Sequence, residues 1–128
     1  MSSKSDYLET NFLNHALRGI TWTAPAAVYA ALFTTTPGEA GGGTEVSGGA
    51  YARQAITFGA PASGQVTNTS DITFPTATGD WGTITGMAIF DAVAAGNMLY
   101  YSDLTAPRTI ATGDQFKFPT GQLIVVED

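Results

Sequence analysis

The chain has no cysteine among its 128 residues, so it carries neither a disulfide framework nor a thiolate for catalysis or metal binding. Charge is scarce. Asp, Glu, Lys and Arg make up 12% of the residues, about half the roughly 25% of an ordinary soluble domain. Cations are the scarcest: five Lys and Arg stand against eleven Asp and Glu, for a formal net charge of -6. Lys4, Arg18, Arg53, Arg108 and Lys117 are scattered along the chain. A nucleic-acid surface needs clustered cations to displace phosphate counterions, so no direct contact with DNA or RNA is expected. One histidine, His15, leaves too few ligands for a zinc or copper site. The longest apolar run, Ala26 to Phe33, falls far short of the roughly 20 residues of a membrane helix, so no membrane partner is expected. The N-terminal Met-Ser-Ser-Lys-Ser-Asp lacks the apolar segment of a signal peptide. These absences predict a soluble protein made in the cytosol.

What the chain does contain is glycine, threonine and short alternating segments. Ser5 to Arg18 (about 5–18) reads as the one clear helix. Asp6 can cap it with Glu9 three residues on, Leu8, Phe12, Leu13, Ala16 and Leu17 form an apolar stripe, and Gly19 supplies a left-handed stop. Beyond Pro25 the period changes to two. Val28 to Phe33 is apolar on both faces, as in a central strand buried on both sides. Further strands are expected at Tyr51 to Phe58, Gln65 to Thr67, Asp71 to Phe74, Thr83 to Asp91 and Asn97 to Ser102. A final pair, Asp114 to Phe118 and Gln122 to Val126, is expected across the turn Pro119-Thr120-Gly121. The fold class that follows is all-β: an antiparallel β-sandwich or barrel of about seven to nine short strands with one N-terminal α-helix. Length and uniform composition predict a single domain over residues 1–128.

The run from Gly38 to Ala50 (about 38–50) is too long for a hairpin turn and lacks the aliphatic pattern of a strand or helix. It reads as a flexible contact arm that feeds the strand starting at Tyr51. Arg53 on that strand is expected to anchor a carboxylate or a backbone carbonyl.

Residues arranged for catalysis or ligand binding are few. Gly41 to Gly43 are followed by no Lys-Ser or Lys-Thr, and no strand-loop-helix unit surrounds them, so they form neither a P-loop nor a dinucleotide fingerprint. No Gly-x-Ser-x-Gly elbow occurs. Asp80, Asp91, Asp103 and Asp114 are acid-base candidates by type, but each stands at a strand end or turn, where Asp bonds nearby backbone. Trp22, Trp81, Tyr100 and Tyr101 could line a sugar-binding groove, though such aromatics more often fill cores and interfaces. No catalytic, cofactor-binding or metal-ligating residue is assigned.

One ordered series does carry a likeness. Val28-Tyr29-Ala30-Ala31-Leu32-Phe33 is followed by Gly43-Thr44-Glu45-Val46-Ser47-Gly48-Gly49-Ala50-Tyr51-Ala52-Arg53-Gln54, by Ile72-Thr73-Phe74-Pro75, by Trp81-Gly82 and Ile89-Phe90-Asp91, and by Gly113-Asp114-x-Phe116. In this it resembles small structural proteins of tailed-bacteriophage virions, a group often labelled tail fiber proteins. The resemblance implies a non-enzymatic virion component without cofactors, made in the host cytoplasm. The small size and lack of fibrous repeats favour a capsid cement or decoration protein that binds the assembled head shell. The alternative is a tail fiber or tail-tip module contacting the host; a carbohydrate-binding or carbohydrate-active domain is a third reading. Expected partners are other virion proteins, either the major capsid protein or tail proteins, and copies of the chain itself, as a homo-oligomer and by preference a trimer. The interface candidates are Leu8, Phe12 and His15 on the helix, and Glu45, Val46, Tyr51 and Arg53 on the loop and the strand after it. On that reading, deleting residues 39–48 should leave a folded protein that no longer binds particles.

Overall fold

The computed structural model describes residues 3–127; Met1, Ser2 and Asp128, which the single-domain reading includes, lie outside the described residues. In order the chain forms β1 (Ser3–Lys4), α1 (Asp6–Arg18), β2 (Val28–Thr35), β3 (Thr44–Glu45), β4 (Gln54–Ile56), β5 (Gln65–Thr67), β6 (Ile72–Thr73), β7 (Gly82–Phe90), β8 (Met98–Ile110), β9 (Lys117–Phe118) and β10 (Ile124–Val126). The fold is all-β with one N-terminal helix, as expected, although the described residues form ten strands instead of seven to nine. The main sheet runs β1-β8-β7-β2-β3, with β4 also paired to β2, and every pairing is antiparallel. Two small ladders, β5 with β10 and β6 with β9, complete the architecture. Among the described residues the main sheet has open ends at β1 and β3 and does not close into a barrel.

β2 is central because its apolar residues serve two faces. Ala30 and Leu32 enter the larger core with Leu8, Phe74, Ile84 and Leu123, a cluster that joins helix, main sheet and both ladders. Ala31 and Phe33 point the other way and pack with Ala88 and Met98. All four β2 residues are buried, which matches the strand buried on both sides that the sequence predicts.

Several boundaries differ from expectation, each for a local reason. Ser5, not Asp6, caps the helix: its backbone is extended (φ -72, ψ 159) and its hydroxyl accepts the Leu8 N–H at 3.2 Å. Gly19 closes the helix at φ 68 as predicted. The apolar stripe divides, with Leu8 buried but Leu13 and Leu17 at 59% and 77% exposure. β8 runs eight residues past its expected end, Ser102, to Ile110. Residues 103–108 of β8 oppose 84–86 of β7, a bulge that accommodates Pro107 within the strand. The predicted pair across Pro119-Thr120-Gly121 does not form, since β9 goes to β6 and β10 to β5. The cause is Asn68, 1% exposed. Its amide nitrogen donates to the Pro119 carbonyl at 3.0 Å, while its side-chain oxygen accepts the Leu123 N–H at 3.0 Å. This bracket holds both ends of the turn against the β5–β6 connection. The expected strand from Tyr51 to Phe58 shrinks to Gln54–Ile56.

The glycine-rich run is not the featureless flexible loop expected. Thr44 and Glu45 form β3, and residues 36–43 fold back over the outer face of the main sheet. Gly86, in the middle of β7, makes this possible: a Cβ there would fall 2.3 Å from the Thr36 hydroxyl oxygen. Thr36 donates that hydroxyl to Asp103 at 2.6 Å. Further along, the Glu39 carbonyl accepts the Asp6 N–H at 2.9 Å, so the segment reaches the start of the helix.

Candidate functional site

Three of the candidate residues converge. β3 and β4 both pair with the same edge of β2 and leave a gap opposite Leu32. The Tyr51 hydroxyl fills it, accepting the Leu32 N–H at 3.0 Å where a strand carbonyl would otherwise stand. That hydroxyl donates in turn to Glu45 Oε2 at 2.6 Å. Arg53 holds the same carboxylate with two parallel bonds of 2.9 Å, from Nε to Oε2 and from a terminal nitrogen to Oε1. Its other terminal nitrogen donates to the Ala92 and Ala95 carbonyls at 2.9 and 2.8 Å. The guanidinium also lies 3.8 Å from the centre of the Phe90 ring. The expectation for Arg53 named a carboxylate or a carbonyl; it binds both, within its own chain. With its side chain 7% exposed, Arg53 joins β3, β4 and the turn after β7 into one unit.

The electrostatics follow from that geometry. Burial on its own would raise the Glu45 carboxyl, but the hydrogen bonds from Arg53 and Tyr51 and the Arg53 charge outweigh it and hold the group below its usual range. Burial, then the bond to Glu45, pushes the Tyr51 phenol well above its ordinary value. Burial alone would lower Arg53, but Glu45 more than compensates and raises it. The carboxylate is ionised and satisfied by three donors, so the arrangement acts as a clamp.

Backbone strain sits beside it. Gly48, Gly49 and Ala50 are left-handed in succession, at φ 76, 57 and 68. At Ala50 this costs about 1–2 kcal/mol. Gly49 is required twice over, because a Cβ would fall 2.8 Å from Trp81 Nε1. The Gly49 carbonyl accepts that same Trp81 N–H at 2.9 Å and the Thr78 N–H at 3.0 Å. Ala95, whose carbonyl Arg53 holds, is also left-handed at φ 53. Asp91 steadies this turn by accepting the Asn97 N–H at 2.7 Å.

Beside the clamp lies a cleft of about 640 Å³ on the outer face of the sheet, with Phe33, Phe90 and Met98 among its lining and the backbone of 39–43 along one side. Asp6, Glu9 and Glu39 stand at the helix start with one carboxylate oxygen each, all within 4.8 Å of one another. Oxygens of this type suit a hard cation. The first turn of a helix, however, already favours anions without one.

The remaining candidates lie apart from the clamp. Val46 and Leu8 are buried in the larger core. Phe12 is half-buried with its ring 5.6 Å from that of Trp22. His15 is exposed, with Nδ1 3.2 Å from the Ile20 carbonyl oxygen. The four aspartates act as local braces: Asp80 accepts from Thr112, Asp91 from Asn97, Asp103 from Thr36 and Asp114 from Ala111. Nor do the aromatics share one groove. Trp81 is buried, Tyr100 packs on the larger core and Tyr101 on the smaller cluster. Sequence reasoning did not identify Phe90, the Ala92 and Ala95 carbonyls, or Glu39 as part of this region. The break between the expected strands Thr83 to Asp91 and Asn97 to Ser102 is legible, but nothing in the composition of residues 92–96 points to Arg53.

Comparison with known families adds one finding. The model of the family described as Podophage GP4 fiber I protein gp80 matches residues 3–126, from β1 through β10. No curated protein matches the chain.

Proposed function

The chain belongs to the Podophage GP4 fiber I protein gp80 family, and from that premise we propose that it is a building block of the phage fiber and not a decoration protein of the head. Membership makes it a structural, virion-associated phage protein. The finer assignment to the fiber rests on one observation, the family match across residues 3–126. That match favours the fiber alternative over the head-shell reading, which rested on small size and the lack of fibrous repeats.

The physical character of the chain fits this role. Arg53 and Lys4 are paired with Glu45 and Glu127, and Lys117 stands 3.7 Å from Asp71. Arg108 lies over the Phe116 ring, and Arg18 donates to Asn14. Cations used singly and locally do not make a phosphate-binding stripe. No helix of the described residues is long and apolar enough to cross a membrane. The partners in this reading are other fiber or tail proteins and further copies of the chain. The chain acts by shape and packing, without turnover of a substrate.

Two measurements on purified virions test the assignment. Immunogold labelling against this chain should mark the tail region, and quantitative mass spectrometry should find few copies relative to the major capsid protein. Labelling spread over the head, with hundreds of copies per particle, would return the protein to the decoration role.

A further inference from the structure

The segment that folds over the outer sheet face is held unevenly along its length. Its start is fixed where Thr36 rests on Gly86 and donates to Asp103. Its end is fixed as well, because Gly43 packs so closely that a Cβ would come within 2.5 Å of the Thr35 carbonyl oxygen. Between these points Gly38 and Gly41 exchange two backbone hydrogen bonds of 3.0 Å and close a small hairpin of their own. That hairpin reaches the helix by one backbone bond, from Asp6 N–H to the Glu39 carbonyl at 2.9 Å. A Cβ on Gly41 or Gly42 would meet nothing within 4 Å.

Charge works against this single bond. The Glu39 carboxylate on the hairpin meets those of Asp6 and Glu9 on the helix, within 4.8 Å. The positive end of a helix amounts to about half an elementary charge. It offsets only part of the two carboxylates already in the first turn, so the third is repelled on balance. The nearby cations have other partners: Arg53 is committed to Glu45 and Lys4 to Glu127.

From this geometry we infer that the hairpin of residues 38–42 is a lid that opens off the helix while β3 and the Arg53 clamp stay in place, and that the charge on Glu39 sets how often it opens. Opening uncovers the apolar part of the cleft, Phe33, Phe90 and Met98. Opening costs little because the hairpin keeps its own internal bonds in both states and gives up only the bond from Asp6.

The Asp6 amide reports the lid directly. As a first-turn N–H it has no partner within the helix, so its protection from solvent exchange depends on Glu39. Glu39→Gln keeps the backbone carbonyl and removes the charge. By amide exchange measured with NMR on the full chain, that variant should slow Asp6 exchange about threefold to tenfold at low salt, and added salt should shrink the effect. Glu9→Gln should slow it in the same direction. The Val46 amide, bonded to the Leu32 carbonyl at 3.0 Å, should keep its rate in both variants. An Asp6 rate that is unchanged or faster in either variant overturns the inference. So does a change shared equally by Asp6 and Val46, because the segment would then open only together with the sheet.

Discussion

Residues 38–43 are tied to the helix by one backbone bond, whereas residues 44–54 are tied to the sheet by a strand pairing, a buried valine, a tyrosine and a charged fork. On composition the two stretches merge, because residues 38–50 read as one glycine-rich arm feeding the strand from Tyr51. They differ in what the glycines do. Gly41 and Gly42 stand in open space and leave the backbone free. Gly49 stands where only a hydrogen fits, against Trp81. Glycine in one half therefore permits motion, and in the other it permits close packing. The longest series behind the family likeness, Gly43 to Gln54, coincides with the packed half.

The largest test of that contrast is a pair of deletions. Removing residues 39–48 takes out Glu45 and Val46 and leaves Arg53 buried without its carboxylate. An uncompensated buried charge costs about 3–5 kcal/mol, and the loss of a buried valine adds about 1.5–3 kcal/mol. A domain has only about 5–15 kcal/mol in all. This variant should show no cooperative urea transition, which revises the expectation of a folded protein lacking particle binding. Removing only 39–42 joins Gly38 to Gly43, which already packs against Pro37, and should keep a cooperative transition close to that of the parent. Equal transitions for the two deletions would erase the distinction between the halves.

Single alanines sharpen the same point. Gly42→Ala places a side chain at φ +82 in open space and should cost about 1–2 kcal/mol. Gly49→Ala pays that strain and also overlaps Trp81 and the Gly79 carbonyl, for about 1–3 kcal/mol more. Urea midpoints of the two variants would give the order, and the reverse order would contradict the close approach at Trp81.

Acid provides a smaller and graded test. The folded-state pKa of Glu45 lies below its ordinary value of 4.5. Its contribution to stability is therefore complete above about pH 4.5 and is lost as pH falls below that toward the folded value. Glu45→Gln lacks this contribution at every pH. The stability gap between the parent and Glu45→Gln should therefore be constant from pH 7 down to about 5 and narrow below about 4.5. A gap that does not change with pH would mean that the charge of Glu45 plays no part in the clamp.

How much of this was legible from sequence depended on whether the determining residues were neighbours. β2 could be read because alternate apolar residues lie on both faces of one short segment. β5, expected and found at Gln65 to Thr67, could be read because its boundary signals are sequence neighbours, glycine at position 64 and asparagine at 68. The end of β8 could not, since Pro107 signals a break and only the bulge opposite Ile84 to Gly86 keeps it paired. The partners of β9 and β10 depend on Asn68, some fifty residues earlier in the chain. For the site, the residue types Glu45, Tyr51 and Arg53 were visible and so was the chemistry of an arginine anchor. That the anchor points inward could not be seen, because it needs carbonyls from the 91–97 turn and a ring from the end of β7. Gly86, the residue that lets the loop lie on the sheet, looked like any other glycine.

The central claim is that the pairing of Glu45 with Arg53 fixes the packed half of the segment. A double-mutant cycle of Glu45→Ala and Arg53→Ala, read by equilibrium urea unfolding at pH 7 and low salt, tests it most directly. The clamp predicts a coupling energy of about 2 kcal/mol or more. Losses that add to within about 0.5 kcal/mol would mean that the two residues stabilise the chain independently and would contradict the claim.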